Sequence, residues 1–378
     1  MWLLDPSLHH LNHGSFGAVP RPVLLAQDAW RQRFERDPVG FVEGDLLPAL
    51  DEVRAIWGQV LGADPAGVVM VRNTTAGVGA VLRSVLPDAP AGSSVVITDH
   101  AYNATRIAAE VEAQKHGLRV VTARIPFPLE SPDQVTRAVL DRVDATTALV
   151  VLDLVTSPTS LRLPVEQVVA ELGADVAVLV DAAHGPGMVE MDADAMGAAF
   201  VVANGHKWLC APRGCAAVAV RPDWRDRVRP LVISHGWEDG VAPQRSRLHA
   251  TFDWTGTDDP SPWLCLGDAV ATVSAMHPGG LAGVREANRR LALQARDLLC
   301  DALGIEPPAP DSMLGSMASV PLPGQTPTMI DPLGARLRED GFVVGAFGGP
   351  RRTLRVSAHQ YNRLDEYAEL AELLPTLL

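Results

Sequence analysis

Residues 176–208 read VAVLVDAAHGPGMVEMDADAMGAAFVVANGHKW. Two short apolar runs, VAVLV (176–180) and AAFVVA (198–203), each stop at a polar residue, Asp181 and Asn204. Runs of this length are short for helices, and unbroken rather than alternating apolarity marks strands buried on both faces. Such strands belong to parallel sheets covered by crossover helices. The pattern extends outward. Further strands are expected at VVMVRN (68–73), SVVITDH (94–100), LRVVTARI (118–125), ALVVLDLV (148–155) and CAAVAV (215–220). Apolar residues at helical spacing fill 22–36, 46–61 and the stretches after most strands. The expected architecture is an α/β large domain over residues 16–250, preceded by an irregular arm over 1–20. Residues 236–263, rich in Gly, Asp, Pro, Trp and Thr, read as a long loop. Beyond it, helices at 265–276, 281–303 and 363–377 and weaker strands at 317–322, 342–347 and 353–358 do not alternate strictly. They predict a small α+β domain over 251–378.

A chain of 378 residues suits this division, and 47% hydrophobic content can fill a substantial core. The net charge is −13, with arginines scattered rather than massed, which argues against nucleic acid as a partner. No apolar run approaches the roughly 18 residues of a membrane span. The start, MWLLDPSLHHLNHGSFG, has no basic segment followed by a long apolar one, so no secretory signal is expected. Cys210, Cys215, Cys265 and Cys300 form no C-x-x-C pair and read as reduced thiols of a cytoplasmic protein. Of the 32 Lys and Arg residues, only Lys115 and Lys207 are lysines. Chemistry that needs a side-chain primary amine has two candidates.

In open parallel sheets, ligands bind beyond the carboxyl ends of the strands. The polar groups there are Asn73-Thr74-Thr75, Asp99-His100-Ala101-Tyr102, Asp153 with Thr156 and Ser157, Asp181 with His184, and Asn204-Gly205-His206-Lys207. Lys207 follows a buried strand, where desolvation lowers the amine pKa and makes a nucleophile or imine former. Lys115 sits in a polar helix end, QKHG, and reads as solvated. Asp181 precedes Lys207 by 26 residues, room for one crossover and one strand, so the two belong on neighbouring strand ends. An acid and a lysine so related suit pyridoxal phosphate. The lysine forms the imine, and the aspartate keeps the pyridine nitrogen protonated so that the ring is an electron sink. His184 is placed to stack on the ring or bond its phenolic oxygen. Thr74 and Thr75 open a helix whose free N–H groups and positive dipole end would receive the phosphate. Asn204 and His206 can add donors, and Tyr102 or His100 is placed to lie over the ring. The cluster His9-His10 with His13 has no carboxylate or cysteine company in the sequence, so no metal site is expected.

These residues carry a resemblance to class V aminotransferase-like, fold-type-I pyridoxal-phosphate enzymes, and within them to the isopenicillin N epimerase-like branch. The matching stretches are LNHGSFGAVP (11–20), RNTTAGV (72–78), DHAYNA (99–104), VTSPTS (155–160), VDAAHGPG (180–187), NGHKW (204–208), FDWTGTDDPSPWL (252–264) and LRVSAHQYN (354–362). The branch is similar also to pyridoxal-phosphate C–S lyases and to decarboxylating deaminases of lincosamide-type pathways. The resemblance implies a seven-stranded, mainly parallel sheet and a homodimer with shared active sites. In such a dimer the 236–263 loop lies at the interface and Thr257 reaches the neighbour's phosphate. It implies that Lys207 carries the cofactor, that Asp181 pairs with the pyridine nitrogen, and that His184, with Thr156 or Ser157, lies near the phenolic oxygen. Asp153 belongs among the cofactor contacts. Arg355 would grip the substrate α-carboxylate, and Asn12 and His13 would line the substrate entrance. The chain departs from the family at Asn204, where serine is commoner, and at Leu154, where relatives often carry histidine.

One cofactor supports several reactions, and the protein selects among them by the bond it aligns and the bases it supplies. The expectation is an enzyme, either a C–S lyase on an S-conjugated cysteine or an epimerase, serving bacterial secondary metabolism such as antibiotic biosynthesis. Oxidative decarboxylating deamination and transamination are the alternatives. GFVVGAFGGPRR (341–352) holds no cysteine, which argues against persulfide transfer. Trp237, Trp254 and Trp263 could offer stacking contacts to a large substrate. A nicotinamide site at Gly77-Val78-Gly79 lacks its third glycine, and a non-catalytic binding protein is hard to square with the retained lysine, aspartate and arginine.

Overall fold

The computed structural model describes residues 1–238, 240, 244–349 and 351–378. Residues 239 and 241–243, part of the loop expected over 236–263, lie outside the described residues, as does residue 350 of the glycine-rich stretch.

Seven strands form the large sheet: β1 (Val68–Val71), β2 (Ser94–Thr98), β3 (Arg119–Ala123), β4 (Thr147–Asp153), β5 (Val178–Ala182), β6 (Phe200–Asn204) and β7 (Ala216–Val220). Their order across the sheet is β1-β7-β6-β5-β4-β2-β3. Only β7 runs antiparallel to its neighbours; every other pairing is parallel. Successive residues of one strand enter different cores. Val150 and Leu152 face one apolar cluster, and Leu149 and Val151 face the other. Burial on both faces is why the strands read as unbroken apolar runs. The edge strand β3 is partly exposed.

The C-terminal layer is an antiparallel sheet of β8 (Met317–Pro321), β9 (Thr326–Ile330), β10 (Gly345–Gly349) and β11 (Thr353–Ser357), ordered β9-β10-β11-β8. Helices Gly280–Leu303 and Leu364–Leu377 accompany it. The single strand expected over 342–347 is two: Phe342–Val343 pairs with His9–His10 of the arm, and Gly345–Gly349 joins the antiparallel sheet. Strand β9 was not expected. It is a mostly exposed edge with a proline at its second position, so it carries no apolar run. The long loop is also shorter than expected, because Arg247–Asp253 and Ser261–Leu264 are helical.

The N-terminal arm is tied down rather than loose. Besides the His9–His10 pairing, the Ser357 amide donates to the Leu11 carbonyl at 2.7 Å. Gly17 has φ +70°, and its α-carbon lies so close to the His206 carbonyl that a side chain would collide with it. Only glycine lets the arm cross the lysine loop here.

A buried ion network fixes the helix Leu46–Leu61 to the segment after the loop. The Asp253 carboxylate receives Arg54 at 2.6 Å and Arg245 at 2.7 Å, with Arg54 and Asp253 both almost wholly buried. Arg54 also donates to the Val68 carbonyl at 3.0 Å. Asp253→Ala would take from the Arg54 guanidinium its buried anion and leave it the exposed Asp51, 2.5 Å away. The expected loss is about 3–5 kcal/mol, read as a lower urea midpoint at unchanged slope. A loss below about 1 kcal/mol would place this pair among exposed ion pairs.

Candidate active site

A cavity of about 350 Å³ opens at the carboxyl ends of the parallel strands. Asp153 and Asp181 are direct partners across the β4–β5 ladder, both buried and both in the cavity wall. Asp181 accepts the Thr105 hydroxyl at 2.8 Å and the Ala183 amide at 3.1 Å. Among the described residues Asp153 accepts the Tyr102 amide, at 3.2 Å, and its Oδ2 has no partner. Burial raises both carboxyls, and the charge of Asp181 drives Asp153 well above the usual range. The donors on Asp181 oppose its rise, so Asp153 keeps the proton and Asp181 the charge.

Lys207 lies in the loop after β6, with its Nζ 3.1 Å from His184 Nε2. Burial, and then the nearby Arg355 charge, pull the amine down to about 8, against the opposing pull of Asp181 and Asp153. Burial also pushes His184 well below its ordinary value, so the ring is neutral. The Trp208 indole N–H donates to His184 Nδ1 at 3.2 Å. Beneath the loop, His13 bonds the Lys207 carbonyl through Nε2 at 3.0 Å and Tyr361 through Nδ1 at 3.1 Å.

The opposite end of the cavity is built for an anion. Helix Thr74–Val85 starts here, and Asn73 caps it by accepting the Ala76 amide at 2.8 Å. The Asn204 side-chain oxygen accepts the Thr74 amide at 3.0 Å, which leaves its NH₂ as the end available to an anion. Thr74 Oγ1 and His206 Nδ1 are buried without partners. Thr75 lines the same wall.

Arg355, on β11, is almost fully buried behind Ser15 and Ser157. Its Nη1 donates to the Ser157 carbonyl at 2.8 Å and hydroxyl at 3.1 Å. Its Nη2 donates to Asn12 at 3.0 Å and Ser15 at 2.8 Å, and its Nε has no partner. Among the described residues no carboxylate reaches it. This is a buried cation held by neutral oxygens, a poor arrangement until an anion arrives.

Several expectations need correction. His13 does not line the cavity; it is buried under Lys207, bound through both ring nitrogens. Asn12 acts on Arg355 and stands behind the wall, where Ser15 and Phe16 take the lining place. His100 is sealed away against Thr159 (2.7 Å) and the Ile125 carbonyl (3.1 Å), which leaves Tyr102 as the aromatic in the cavity wall. Thr156 caps its own turn by bonding the Leu161 amide, while Ser157 faces the cavity. None of Trp237, Trp254 and Trp263 lines it; Trp263 lies under Arg72 at 4.2 Å. The expectation for Thr257 concerns a second copy; within one chain it is exposed and lines a separate cleft with Met70, Leu231 and Val232. Sequence reading missed Thr105, Trp208, Tyr361 and Ser15. Trp208 adjoins the lysine and was within reach, whereas Thr105 lies inside a helix, beyond the strand-end loop.

Residues 42–363 match the aminotransferase class-V family. The chain belongs to that family. It is 34% identical to the isopenicillin N epimerase of Amycolatopsis lactamdurans, across 99% of this chain and 96% of that one. It is 30% identical to a putative L-cysteine desulfhydrase of Oryza sativa subsp. japonica, across 99% and 84%. Among solved structures, a cystine C–S lyase in complex with its product cysteine persulfide superposes with a TM-score of 0.80 at 17% identity, covering 98% and 97%. The fold is thus that of the family's fold-type-I members, whose cofactor is pyridoxal 5′-phosphate.

The cavity fits that cofactor. Unpartnered donors at Thr74 and His206 meet the helix N-terminus where a phosphate belongs, the charged Asp181 faces the ring region, and the amine stands beside His184. Thr74→Val removes one phosphate donor without touching the lysine. It should weaken pyridoxal phosphate binding by about tenfold and leave unphosphorylated pyridoxal unaffected, as measured by absorbance titration. Equal loss for both ligands would put Thr74 in a structural role only.

Proposed function

We propose that the chain is a pyridoxal-phosphate enzyme acting at Cα and Cβ of an amino acid, by β-elimination from an S-conjugated cysteine. The carrying observation is that an amine drawn down to about 8, Lys207, and a buried cation that no carboxylate reaches among the described residues, Arg355, stand at the same cavity. The bound cofactor supplies the electron sink.

The chain's own groups supply the rest. A substrate α-carboxylate would displace Asn12 and Ser15 from Arg355, because a charged acceptor binds guanidinium more strongly than neutral oxygens. Asp181 would hold a proton at the pyridine nitrogen of a bound cofactor, and the protonated Asp153 beside it keeps the pair at one negative charge. Lys207 Nζ takes the Cα proton. The Cβ–S bond then breaks with the electron pair leaving on sulfur, and water completes the reaction to thiol, pyruvate and ammonia. Elimination needs this single base, whereas epimerisation must also protonate the opposite face. The likeness to an isopenicillin N epimerase makes epimerisation the second reading. All four cysteines are buried, and burial holds their thiols protonated, which fits neither a persulfide carrier nor a disulfide.

A homodimer belongs to this reading. Thr257 is exposed and outside the lining of its own cavity, and exposed Leu231 and Val232 line its cleft, so a second copy would cover apolar surface and receive Thr257 at its phosphate. Sedimentation should then give twice the 40.3 kDa chain mass.

The reaction is read by incubating the enzyme with cysteine S-conjugates in deuterated water. Pyruvate and ammonia are expected. Deuterium at Cα with loss of chirality and no pyruvate would establish epimerisation instead. Arg355→Ala should lower kcat/KM by about a hundredfold, mainly through KM, and Lys207→Ala should abolish turnover.

A further inference from the structure

Trp208 is fully buried, tilted against His13 with ring centroids 5.0 Å apart and stacked toward His359 at 6.3 Å. Gly187, at φ +84°, lets the loop after β5 close directly on the Trp208 backbone. The indole is therefore held in one orientation, and its N–H points at His184 Nδ1.

An indole nitrogen only donates, so His184 Nδ1 must accept. A neutral imidazole that accepts at one nitrogen carries its proton at the other. His184 is neutral because burial, helped by the charge of Arg355, disfavours the imidazolium. Its proton is accordingly on Nε2, the atom 3.1 Å from Lys207 Nζ. That N–H can only be donated. The lysine nitrogen must accept it, and an ammonium group has no lone pair with which to do so.

We propose that Trp208 is a positioning residue that fixes His184 as the Nε2–H tautomer and thereby holds Lys207 as a free amine, ready to condense with the cofactor aldehyde. In that condensation the Nζ lone pair forms the C–N bond, and both amine hydrogens leave with the carbonyl oxygen as water. An ammonium would first have to lose a proton from a buried position. The other charged groups facing Nζ come from separate elements. Arg355 on β11 disfavours the ammonium; Asp181 on β5 and Asp153 on β4 favour it, and of these only Asp181 is charged. His206 and His13 are neutral, each lowered by burial to about 4. The balance is close enough for one hydrogen bond to tip it. The pyridoxal-phosphate reading enters only in naming the electrophile; the tautomer is a property of the chain.

The test uses the apoprotein labelled with ¹⁵N-histidine. His184 should show a protonated Nε2 and a bare Nδ1 at neutral pH. Trp208→Phe keeps a packed ring but loses the donor, so both tautomers should appear. The pH midpoint for covalent loading of pyridoxal phosphate onto Lys207 should also rise by about one unit, the scale of a single hydrogen bond. A proton on Nδ1 in the wild type would overturn the proposal. So would a Trp208→Phe protein that loads more slowly at every pH with no shift, since that is the mark of mere packing. The wild-type spectrum decides the matter even where the variant does not fold. Wild-type protein that takes up no cofactor would sink the pyridoxal-phosphate reading while leaving the tautomer measured.

Discussion

The parallel register of β4, β5 and β6 is the constraint on which the site depends. Asp153 lies opposite Asp181, and Ala182 opposite Ala203, so both acids and the lysine loop emerge at one level of the sheet. The strand residues directly below that level, 149–152, 178–180 and 200–203, are apolar and buried on both faces. Two carboxyls and an amine are thereby forced into a place that disfavours charge. The chain resolves the conflict by keeping few charges. Asp153 retains its proton, the Lys207 amine is drawn down to about 8, His184 is neutral, and Asp181 is the carboxyl that holds a charge, supported by Thr105 and Ala183. A cofactor with a cationic ring, an aldehyde and an anionic phosphate complements each of the groups left waiting.

The remaining walls come from the two ends of the chain. The arm reaches Lys207 through His13 and Arg355 through Asn12 and Ser15, while β11 brings Arg355 and Tyr361 follows it. His13, Cys210 and His359 bring ligand-type atoms within 4.8 Å of one another. Both nitrogens of His13 are already engaged, Nε2 with a carbonyl and Nδ1 with the Tyr361 hydroxyl, so the cluster reads as a hydrogen-bonded support under the lysine. Cys210, at φ 56°, turns the chain sharply there. The geometry of the amine is thus set jointly by segments nearly 350 residues apart.

That division explains what could be read from the sequence. The strands were legible because burial on both faces writes itself as continuous apolar residues, and the strand-end rule then found Thr74, Tyr102, Asp153, Asp181, His184, Asn204, His206 and Lys207, all of which line one cavity. Residues whose role depends on long-range packing were not legible. Nothing local in LNHGSF tells that His13 turns under a lysine carbonyl while Ser15 takes the lining place. Nothing in DHAY tells that His100 is sealed against Thr159 and only Tyr102 faces the cavity. Strand β9 was missed because an exposed edge needs no apolar pattern. Resemblance named Arg355, but only the structure shows it buried among neutral oxygens, with no carboxylate reaching it among the described residues.

The central claim is that a single buried lysine carries the cofactor. Borohydride reduction of the holoenzyme, followed by peptide mass spectrometry, measures this directly, because the chain has only two lysines. The account predicts a reduced pyridoxyl phosphate group on the peptide containing Lys207 and none on that containing Lys115. A label on Lys115, or on neither, would contradict it.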